Sequence, residues 1–311
     1  MTSYNEHTPV LLSEVLSFVP RKKIRYVDMT LGRAGHASEI LSRIYKGSAF
    51  YGVDRDQDAL DYSKGFLSSY SNKVSLHFLH TDFAKAIDFI SREIPAADFI
   101  LMDIGVSSPQ FDDPKRGFSY RYDAPLDMRM SPEDSLTAKD IVNSYSEKEL
   151  YLVFHYLGEC RYAMAVTKRI EEVRKTKVIE TTFELVDIIK ETLPEKELRK
   201  EGHPAKQFFL GLRYEVNNEI GELKEGLQKS IHFLAPKGRL AVISFNSEED
   251  RIVKDAFKKL DKPHHVDKYS SEKSREETYR ILTKKPIVPS EEEITANPRA
   301  KASLLRVLER S

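Results

Sequence analysis

Three aspartates each close a short apolar segment in the first third of the chain. They are Asp28, Asp54 and Asp103, and Phe83 follows a further segment of the same kind. A carboxylate can accept hydrogen bonds from both hydroxyls of a ribose, and a phenylalanine ring can stack on an adenine. Taken singly, Asp54 is equally well explained as a helix cap, and Phe83 is more often a core residue. Their recurrence at successive segment ends favours a site for a nucleoside.

The turn after Asp28 decides between two classes of nucleoside ligand. Gly32 and Gly35 let the backbone approach a ligand, and the helix that follows offers free N–H groups. A dinucleotide site would need the pattern G-x-G-x-x-G, which this turn lacks. S-adenosylmethionine carries a cationic sulfonium and no phosphate, so acidic strand ends suit it. The sequence therefore favours S-adenosylmethionine as the cofactor and disfavours a nicotinamide dehydrogenase.

A parallel sheet is the element that would bring these residues together. Periodicity predicts alternating strands and helices at 24–29, 37–45, 48–53, 56–69, 74–79, 84–92 and 99–102. Such alternation indicates parallel strands with helical crossovers. Ligands of these sheets bind at the carboxyl ends of the strands, where the strand order reverses.

The pattern changes after residue 108 and returns near residue 239. An irregular segment at 109–135 precedes helices predicted at 136–145, 148–157, 162–175, 182–193 and 206–234. A strand at 239–245, a helix at 250–260 and an antiparallel pair at 265–269 and 279–283 follow. We therefore predict an α/β fold, a doubly wound sheet interrupted by an all-helical insert. The predicted domains are 1–109 and 206–311 for the sheet, and 110–205 for the insert.

The composition sets limits on partners and compartment. The 311 residues carry 49 Lys and Arg against 49 Asp and Glu, so any nucleic-acid contact must use a local patch. The candidate patch lies within 251–285 and the C-terminus, at Lys254, Lys258, Lys259, Lys262, Lys268, Lys273, Arg275, Arg280, Arg299, Lys301 and Arg306.

Cysteine usage and the chain start favour a cytoplasmic protein that does not contact membranes. Cys160 is the only cysteine, which excludes an internal disulfide and a multi-cysteine zinc site. The first residues lack a signal-peptide pattern, and no apolar segment approaches the roughly 20 residues of a membrane span. The adjacent His264 and His265 are more typical of a solvated surface pair than of a metal site, so we expect no metal.

Several longer strings resemble the bacterial small-subunit ribosomal RNA cytosine-N4 methyltransferase family, and the resemblance covers nearly the whole chain. The most specific are D-I-G-V-S-S-P-Q at 103–110 and P-L-D-M-R-M at 125–130. The other strings are H-T-P-V-L-L at 7–12, G-H at 35–36, D-R-D at 54–56, R-G-F-S at 116–119, H-P-A at 203–205, L-R at 212–213, V-N at 216–217, I-S-F at 243–245, E-D-R-I-V-K at 249–254 and N-P-R-A-K at 297–301.

The resemblance implies a Rossmann-like class I methyltransferase sheet that binds S-adenosylmethionine. It places the cofactor contacts on Ala34, Gly35, His36, Asp54, Phe83, Asp103 and Gln110. It implies that the substrate is a cytidine in the decoding region of 16S ribosomal RNA, within the small ribosomal subunit, modified on its exocyclic amine. The insert is expected to help hold the RNA, and a homodimer is compatible with the sequence.

The chain departs from the family pattern at several positions. Met29 and Ala34 replace glycines of the turn, and Asn246 replaces a histidine. Gln207 and Leu210 replace an arginine and a glutamine. These changes leave two alternatives open: a methyltransferase of another nucleic acid, and a donor-binding, ribosome-associated module without turnover.

The expected reaction needs alignment and hydrogen-bond acceptors rather than a strong base. The cytosine amine is a poor nucleophile, but the sulfonium already activates the methyl group, so orientation is the main requirement. Ser107 and Ser108 can accept hydrogen bonds from the amine, and Asp103 can take a proton late. A strand-terminating turn is the alternative explanation of the serines.

Four further residues are substrate candidates. Arg129 is expected to meet a phosphate, or else to tie its loop to Asp127. Asn246 is expected to hydrogen-bond the target base, or else to cap the next helix. Arg213, in the L-R string, is the fourth candidate.

Overall fold

The computed structural model of the chain describes residues 9–105, 113–260 and 278–311. Its contacts divide the chain into two units. The sheet unit comprises Met1–Gly105 and Glu222–Ser311, and the insert unit comprises Val106–Gly221. Each unit has a hydrophobic core of its own.

The sheet unit is built on seven strands. They are β1 (Arg25–Asp28), β2 (Ser48–Asp54), β3 (Val74–His80), β4 (Ala97–Asp103), β5 (Leu234–Ser244), β6 (Tyr279–Ile281) and β7 (Leu304–Arg310). Their order in the sheet is β3-β2-β1-β4-β5-β7-β6. The pairs among β1 to β5 are parallel, and β7 runs antiparallel to both β5 and β6. This confirms the doubly wound α/β sheet.

Helices connect these strands and cover the sheet. They are α1 (Leu12–Phe18), α2 (Gly35–Arg43), α3 (Gln57–Leu67) and α4 (Phe83–Ile90). Asp56 and Asp82 start α3 and α4 by accepting the backbone N–H groups of Asp58 and Lys85. These caps stabilise helices that follow directly from strand ends.

Both faces of the central strands are buried, which explains why their sequences read as continuous apolar runs. Tyr26 and Phe99 belong to one core cluster, whereas their neighbours Val27 and Ile100 belong to the other. Successive side chains of a strand point to opposite faces, so each apolar run supplies both cores.

The closing strand pair differs from the predicted one. Within the described residues, β6 pairs with β7, a strand that the sequence pattern did not predict. The predicted partner at 265–269 lies outside the described residues. The predicted turn at 236–238 falls inside β5, where Lys237 has a φ of 62° and the register with β4 shifts.

The described part of the insert unit is helical around one apolar core. Its helices are α5 (Ala138–Ser144), α6 (Glu147–Leu152), α7 (Ala163–Arg174), α8 (Thr182–Thr192), α9 (Glu195–Leu198) and α10 (Lys206–Asn217), with a π-helical turn at Val153–Leu157. Phe154, Ile170, Leu185 and Phe209 belong to this core.

The end of the insert differs from the predicted boundary at residue 205. Phe208, Phe209 and Leu212 of α10 are buried in the insert core, so this helix clusters with residues 106–221. The single helix predicted at 206–234 is interrupted by Asn218, whose φ is 48°. After it come α11 (Glu219–His232) and, in the sheet unit, α12 (Ser247–Leu260) and α13 (Glu291–Ala296). Among the described residues, no helix is long and apolar enough to cross a membrane.

Candidate functional site

The strand order reverses between β1 and β4, and acidic side chains meet at that edge. The chain winds from β1 through β2 to β3 on one side, and β4 pairs with the other side of β1. Asp28, Asp54 and Asp103 are the last residues of β1, β2 and β4. The predicted convergence of these three strand ends is therefore present in the sheet unit.

Asp54 anchors the glycine-containing turn. Its Oδ2 accepts the backbone N–H of Gly32 at 2.7 Å, and its Oδ1 accepts that of Asp56 at 2.9 Å. Burial raises the pKa of Asp54, and these hydrogen bonds oppose the rise. Each carboxylate oxygen has two lone pairs, so these contacts do not use up its capacity to accept ribose hydroxyls.

Asp28 is buried beneath the edge and held by its neighbours. The Tyr26 hydroxyl donates to Oδ2 at 2.7 Å, and the Thr30 N–H donates to Oδ1 at 3.2 Å. Burial raises the pKa of Asp28 to about 6, although both hydrogen bonds act in the opposite direction. With both oxygens engaged inside the protein, Asp28 shapes the turn and contributes charge to the site.

Asp103 has a carboxylate oxygen that receives no hydrogen bond from the part of the chain that the structure describes, whereas both oxygens of Asp28 and of Asp54 receive one. Its backbone N–H donates to Thr30 Oγ1 at 2.7 Å, which fixes the strand end. Its side-chain Oδ1 is buried and has no hydrogen-bond partner among the described residues. Burial, and then the charges of Asp28 and Glu249, raise the pKa of Asp103 to about 8. A buried acceptor without a donor is costly, so this oxygen is suited to a ligand that supplies a hydrogen bond or a positive charge.

His36 lies beside Asp103 without forming an ion pair at neutral pH. Its Nε2 is 2.9 Å from the carbonyl oxygen of Val10, and its Nδ1 is 3.6 Å from Asp103 Oδ2. Burial lowers the pKa of His36 to about 4, so the ring is neutral. Because Nε2 donates to a carbonyl, the lone pair is on Nδ1, the nitrogen nearer Asp103.

The turn residues Ala34 and Gly35 begin α2 in a tight space. Ala34 is fully buried and has a φ of 60°, a conformation that usually belongs to glycine. A Cβ on Gly35 would lie 2.7 Å from Cγ of Pro9. The replacement of a glycine by Ala34 therefore carries a strain that the sequence could not reveal.

Phe83 occupies the start of α4 after β3, as expected. Its ring packs against Gly226 of α11, where an added Cβ would lie 2.5 Å from Cδ2. The side chain is only partly buried and contacts one of the core clusters. Phe83 is thus partly a core residue, and because its half-buried ring retains an accessible part, its contact with a ligand stays a prediction.

Ser107, Ser108 and Gln110 lie outside the described residues, and their assignment stays a prediction. The backbone leading to them is described up to Gly105, whose φ is 126°. This conformation is essentially restricted to glycine. The chain thus leaves β4 through a turn that a side chain would strain.

The loop that contains Asp127 and Arg129 is internally satisfied. Arg129 donates from Nε and Nη2 to the two carboxylate oxygens of Asp127, at 2.8 and 2.7 Å. Its Nη1 donates to the carbonyls of Pro132 and Asp134. This geometry matches the loop-tying explanation of Arg129 and leaves little of the guanidinium for a phosphate.

Residues from two other strings that resemble the family hydrogen-bond the backbone of the same loop. Asn217 donates to the carbonyl of Met128 at 2.8 Å and accepts the N–H of Met130 at 2.7 Å. Arg116 donates to the carbonyls of Arg129 and Met130. The strings at 116–119, 125–130 and 216–217 therefore share a structural role within the insert unit.

Arg213 and Asn246 are likewise engaged inside their own units. Arg213 pairs through Nε and Nη2 with both carboxylate oxygens of Glu219, at 2.7 and 3.0 Å. Asn246 Oδ1 accepts the N–H groups of Glu248 and Glu249, at 3.1 and 3.0 Å. These contacts give Asn246 the cap geometry that was one of its two explanations.

The candidate basic patch is smaller than the sequence predicted. Arg306 is buried and pairs with both carboxylate oxygens of Asp250, at 2.6 and 2.8 Å, so it is not available to RNA. Arg280 pairs with Glu309. Lys254, Lys258 and Lys259 remain on α12 without a described ion pair, whereas Lys262, Lys268, Lys273 and Arg275 lie outside the described residues.

Sequence reasoning missed the residues that support the acidic edge. Thr30 bridges the ends of β1 and β4, Tyr26 binds Asp28, and the charge of Glu249 raises the pKa of Asp103. Tyr26 and Asp28 stand two residues apart, so they share one face of a strand. That spacing is the only local signal that could have identified one of them.

The acidic edge fits a cationic organic ligand. Asp28, Asp54 and Asp103 surround a turn that begins a helix, and Asp103 keeps a buried oxygen without a donor. Among the described residues, no group of three histidine, cysteine or acidic side chains is placed to hold a metal ion. The strand order and this edge define a Rossmann-like methyltransferase that uses S-adenosylmethionine as methyl donor.

Comparison with known proteins gives the family. Residues 4–311 match the model of the MraW methylase family, and the chain belongs to that family. The chain is 44% identical over 312 residues to the ribosomal RNA small subunit methyltransferase H of Halothermothrix orenii, covering 98% of each chain.

Solved structures show weaker similarity. A candidate rRNA methylase from Clostridium thermocellum is 12% identical, with a TM-score of 0.42 and coverage of 96% of this chain and 95% of that one. A methyltransferase-like protein from Streptococcus mutans, solved with SAH, is 12% identical, with a TM-score of 0.41 and coverage of 97% and 96%. These scores add nothing to the family assignment.

Proposed function

We propose that the protein transfers a methyl group from S-adenosylmethionine to the exocyclic N4 of a cytidine in the decoding region of 16S ribosomal RNA. The observation that carries this proposal is the 44% identity, over 98% of both chains, to a ribosomal RNA small subunit methyltransferase H. The resemblance of the strings at 103–110 and 125–130 supports cytosine N4 as the acceptor.

The donor would be held at the carboxyl edge of the sheet. Asp54 would accept the ribose hydroxyls, and the accessible part of Phe83 would contact the adenine. Ala34, Gly35, His36 and Gln110 would complete the cradle. The unpartnered Oδ1 of Asp103 would receive a hydrogen bond or positive charge from the donor.

The residues of this chain would act mainly by orienting the acceptor amine. When bound, S-adenosylmethionine supplies an already activated methyl group, so the protein needs no strong base. Ser107 and Ser108 would accept hydrogen bonds from the amine and turn its lone pair toward the methyl carbon. Positive charge beside Asp103 favours its ionised form, while burial increases its affinity for a proton. The same carboxylate is therefore suited to receive the proton that the amine releases.

The setting of the reaction is part of the proposal. A target base inside a duplex cannot reach the donor, so the cytidine would be single-stranded or flipped out. We propose that the RNA is met within the small ribosomal subunit, in the cytoplasm. A homodimer stays a prediction, and light scattering of the purified protein at several concentrations would test it.

Methyl transfer to different acceptors tests the proposal. Purified protein would be incubated with labelled S-adenosylmethionine and free 16S RNA, small subunits that lack the modification, or DNA. We expect label in the RNA of the small subunits, at cytidine N4. Asp103→Asn should reduce transfer at least tenfold, whereas the control Asp58→Asn, at an exposed position on α3, should not. Label only in DNA would overturn the substrate, and donor binding without transfer to any acceptor would overturn the activity.

A further inference from the structure

A pair of stacked rings fixes His203 on the core of the insert unit. The imidazole stacks on Tyr120, with ring centroids 4.3 Å apart and an interplanar angle of 10°. The Tyr120 ring in turn meets Phe209 edge-on at 5.7 Å. Phe209 is buried, so these contacts hold the imidazole in one orientation.

The hydrogen bond at one ring nitrogen leaves a donor at the other. Nδ1 of His203 accepts the backbone N–H of Ala205 at 3.2 Å. A ring nitrogen that accepts carries no proton, so the neutral imidazole has its N–H at Nε2. Within residues 9–105, 113–260 and 278–311, Nε2 has no hydrogen-bond partner. His203 thus offers a fixed and unused N–H donor.

Arg121 directly follows Tyr120, the ring on which His203 stacks, and the positive charges of Arg121 and Lys190 both act on His203. Arg121 and Lys190 are exposed, and neither side chain forms an ion pair with a described carboxylate. Burial, and then the positive charges of Lys190 and Arg121, lower the pKa of His203. Because no described carboxylate pairs with either cation, both charges remain available to attract a bound anion.

An exposed aromatic ring adjoins the cations, in a segment that is held in place. Tyr122 follows Arg121 directly, and its side chain is 51% exposed. Thr182 anchors the backbone here, since its hydroxyl donates to the carbonyl of Tyr122 at 2.6 Å and accepts the N–H of Ala124. Cations that contact phosphates beside an aromatic ring that stacks on bases are typical of proteins that bind single-stranded nucleic acid.

We propose that His203, Arg121 and Lys190 form a binding site for a phosphate group of single-stranded RNA, with Tyr122 stacking on an adjacent base. The site lies wholly within the insert unit, whereas the α12 lysines belong to the sheet unit. The RNA source of the phosphate rests on the proposed function, whereas the anion site itself rests on the contacts of these side chains.

Binding and turnover of a charge-removing variant test this site. The variant is Arg121→Gln with Lys190→Gln, and Lys175→Gln is the control, because Lys175 is exposed on the same unit without a described ion pair. Fluorescence anisotropy would measure affinity for a labelled single-stranded RNA oligonucleotide at several salt concentrations. We expect roughly tenfold weaker binding, with the slope of log affinity against log salt shallower by about 0.7 for one lost phosphate contact.

Enzyme kinetics and phosphate binding distinguish this site from the S-adenosylmethionine site. KM for small subunits should rise about as much as RNA affinity falls, while kcat and affinity for S-adenosylmethionine stay within about twofold. Tyr122→Ala should weaken RNA binding and leave the affinity for inorganic phosphate unchanged.

Four results would count against the proposal or its foundation. An unchanged salt slope, or an equal effect of Lys175→Gln, would overturn the phosphate site. Loss of inorganic phosphate binding with RNA binding intact would overturn the assignment to RNA. If the wild-type protein bound RNA through these residues but methylated no acceptor, the proposed function would fail and the phosphate site would be supported.

Discussion

Asp103 combines burial with an unused acceptor, and the physical consequences can be measured. Its pKa is raised to about 8, so the carboxyl is protonated at neutral pH when no cation is near. A positively charged donor favours the ionised form. Binding of S-adenosylmethionine below pH 8 should therefore release a proton.

Donor affinity should rise with pH because of this proton. We expect the association constant of S-adenosylmethionine to increase from pH 6.5 to about pH 8, by at most tenfold per pH unit, and then to level off. Calorimetry in buffers of different ionisation enthalpy would measure both affinity and proton release. Asp103→Asn should abolish this rise, and S-adenosylhomocysteine, which lacks the sulfonium charge, should show a smaller one. An identical pH profile in Asp103→Asn would contradict this role.

The backbone conformation of Ala34 leads to a prediction about the stability of its variants. With a φ of 60° and no exposure, the position tolerates a methyl group but not a β-branched side chain. Ala34→Val should lower the free energy of unfolding by at least about 2 kcal/mol, whereas Ala34→Gly should change it by less than about 1 kcal/mol, because relief of strain offsets the lost methyl. Urea denaturation would measure both variants, and similar stability of Ala34→Val and wild type would contradict the turn geometry.

Single residues also show where sequence reasoning stops. The acidic residues at strand ends could be predicted, because their positions follow from local periodicity. The engagement of Arg129 by Asp127 and of Arg213 by Glu219 could not, since an arginine available for phosphate and an arginine in an ion pair look alike in sequence. The same holds for Arg306, whose partner Asp250 is 56 positions away.

The start of α12 depends on the side chain of Asn246, which caps the helix. Asn246 precedes α12 and accepts two N–H groups of its first turn. Asn246→Ala should therefore lower the free energy of unfolding by about 1 kcal/mol. Asn246→Ser should retain most of the stability that the cap provides, because serine is also a good N-cap. Chemical denaturation gives the stability, and KM for small subunits gives the readout for substrate contact. A raised KM in both variants with unchanged stability would instead favour contact with the base.

At the scale of elements, the strand–helix repeats from β1 to β4 could be predicted and β7 could not. The repeats are dense in apolar residues, and their parallel strands are buried on both faces. By contrast, β7 carries Arg306 and Glu309, which are buried because Asp250, Arg239 and Arg280 neutralise them. The charged residues of β7 can be buried in a sheet only because they form ion pairs with residues distant in sequence. Local periodicity does not predict those ion pairs.

The break between α10 and α11 has a similar origin. Periodicity continues through 206–234, so the sequence predicts one helix. Asn218 adopts φ of 48°, which asparagine tolerates better than most residues. The Arg213–Glu219 pair then links the two helices across the break. The tandem Asn217-Asn218 was a signal, but by itself it is too weak to end a helix.

For the whole molecule, the sheet unit and the insert unit do not share a core cluster among the described residues, and we therefore predict that S-adenosylmethionine binding is felt mainly in the sheet unit. Hydrogen exchange with S-adenosylmethionine should slow at 28–36, 54–56 and 103–105, and change little in α7 and α8 of the insert. At a donor concentration 100 times Kd, the stabilisation of the unit that binds it should be about 2.7 kcal/mol. Mass spectrometry of peptic fragments would measure the exchange, and protection confined to the insert unit would contradict a donor site at the acidic edge.

The most direct measurement of the central claim is the analysis of nucleosides from small-subunit RNA by mass spectrometry. Small subunits that lack the modification would be incubated with the wild-type protein and S-adenosylmethionine, and the RNA then digested and mapped. We predict one methyl group on N4 of a cytidine in the decoding region, and none with Asp103→Asn. A methyl group on a different base, or no added methyl group with the wild-type protein, would contradict the account.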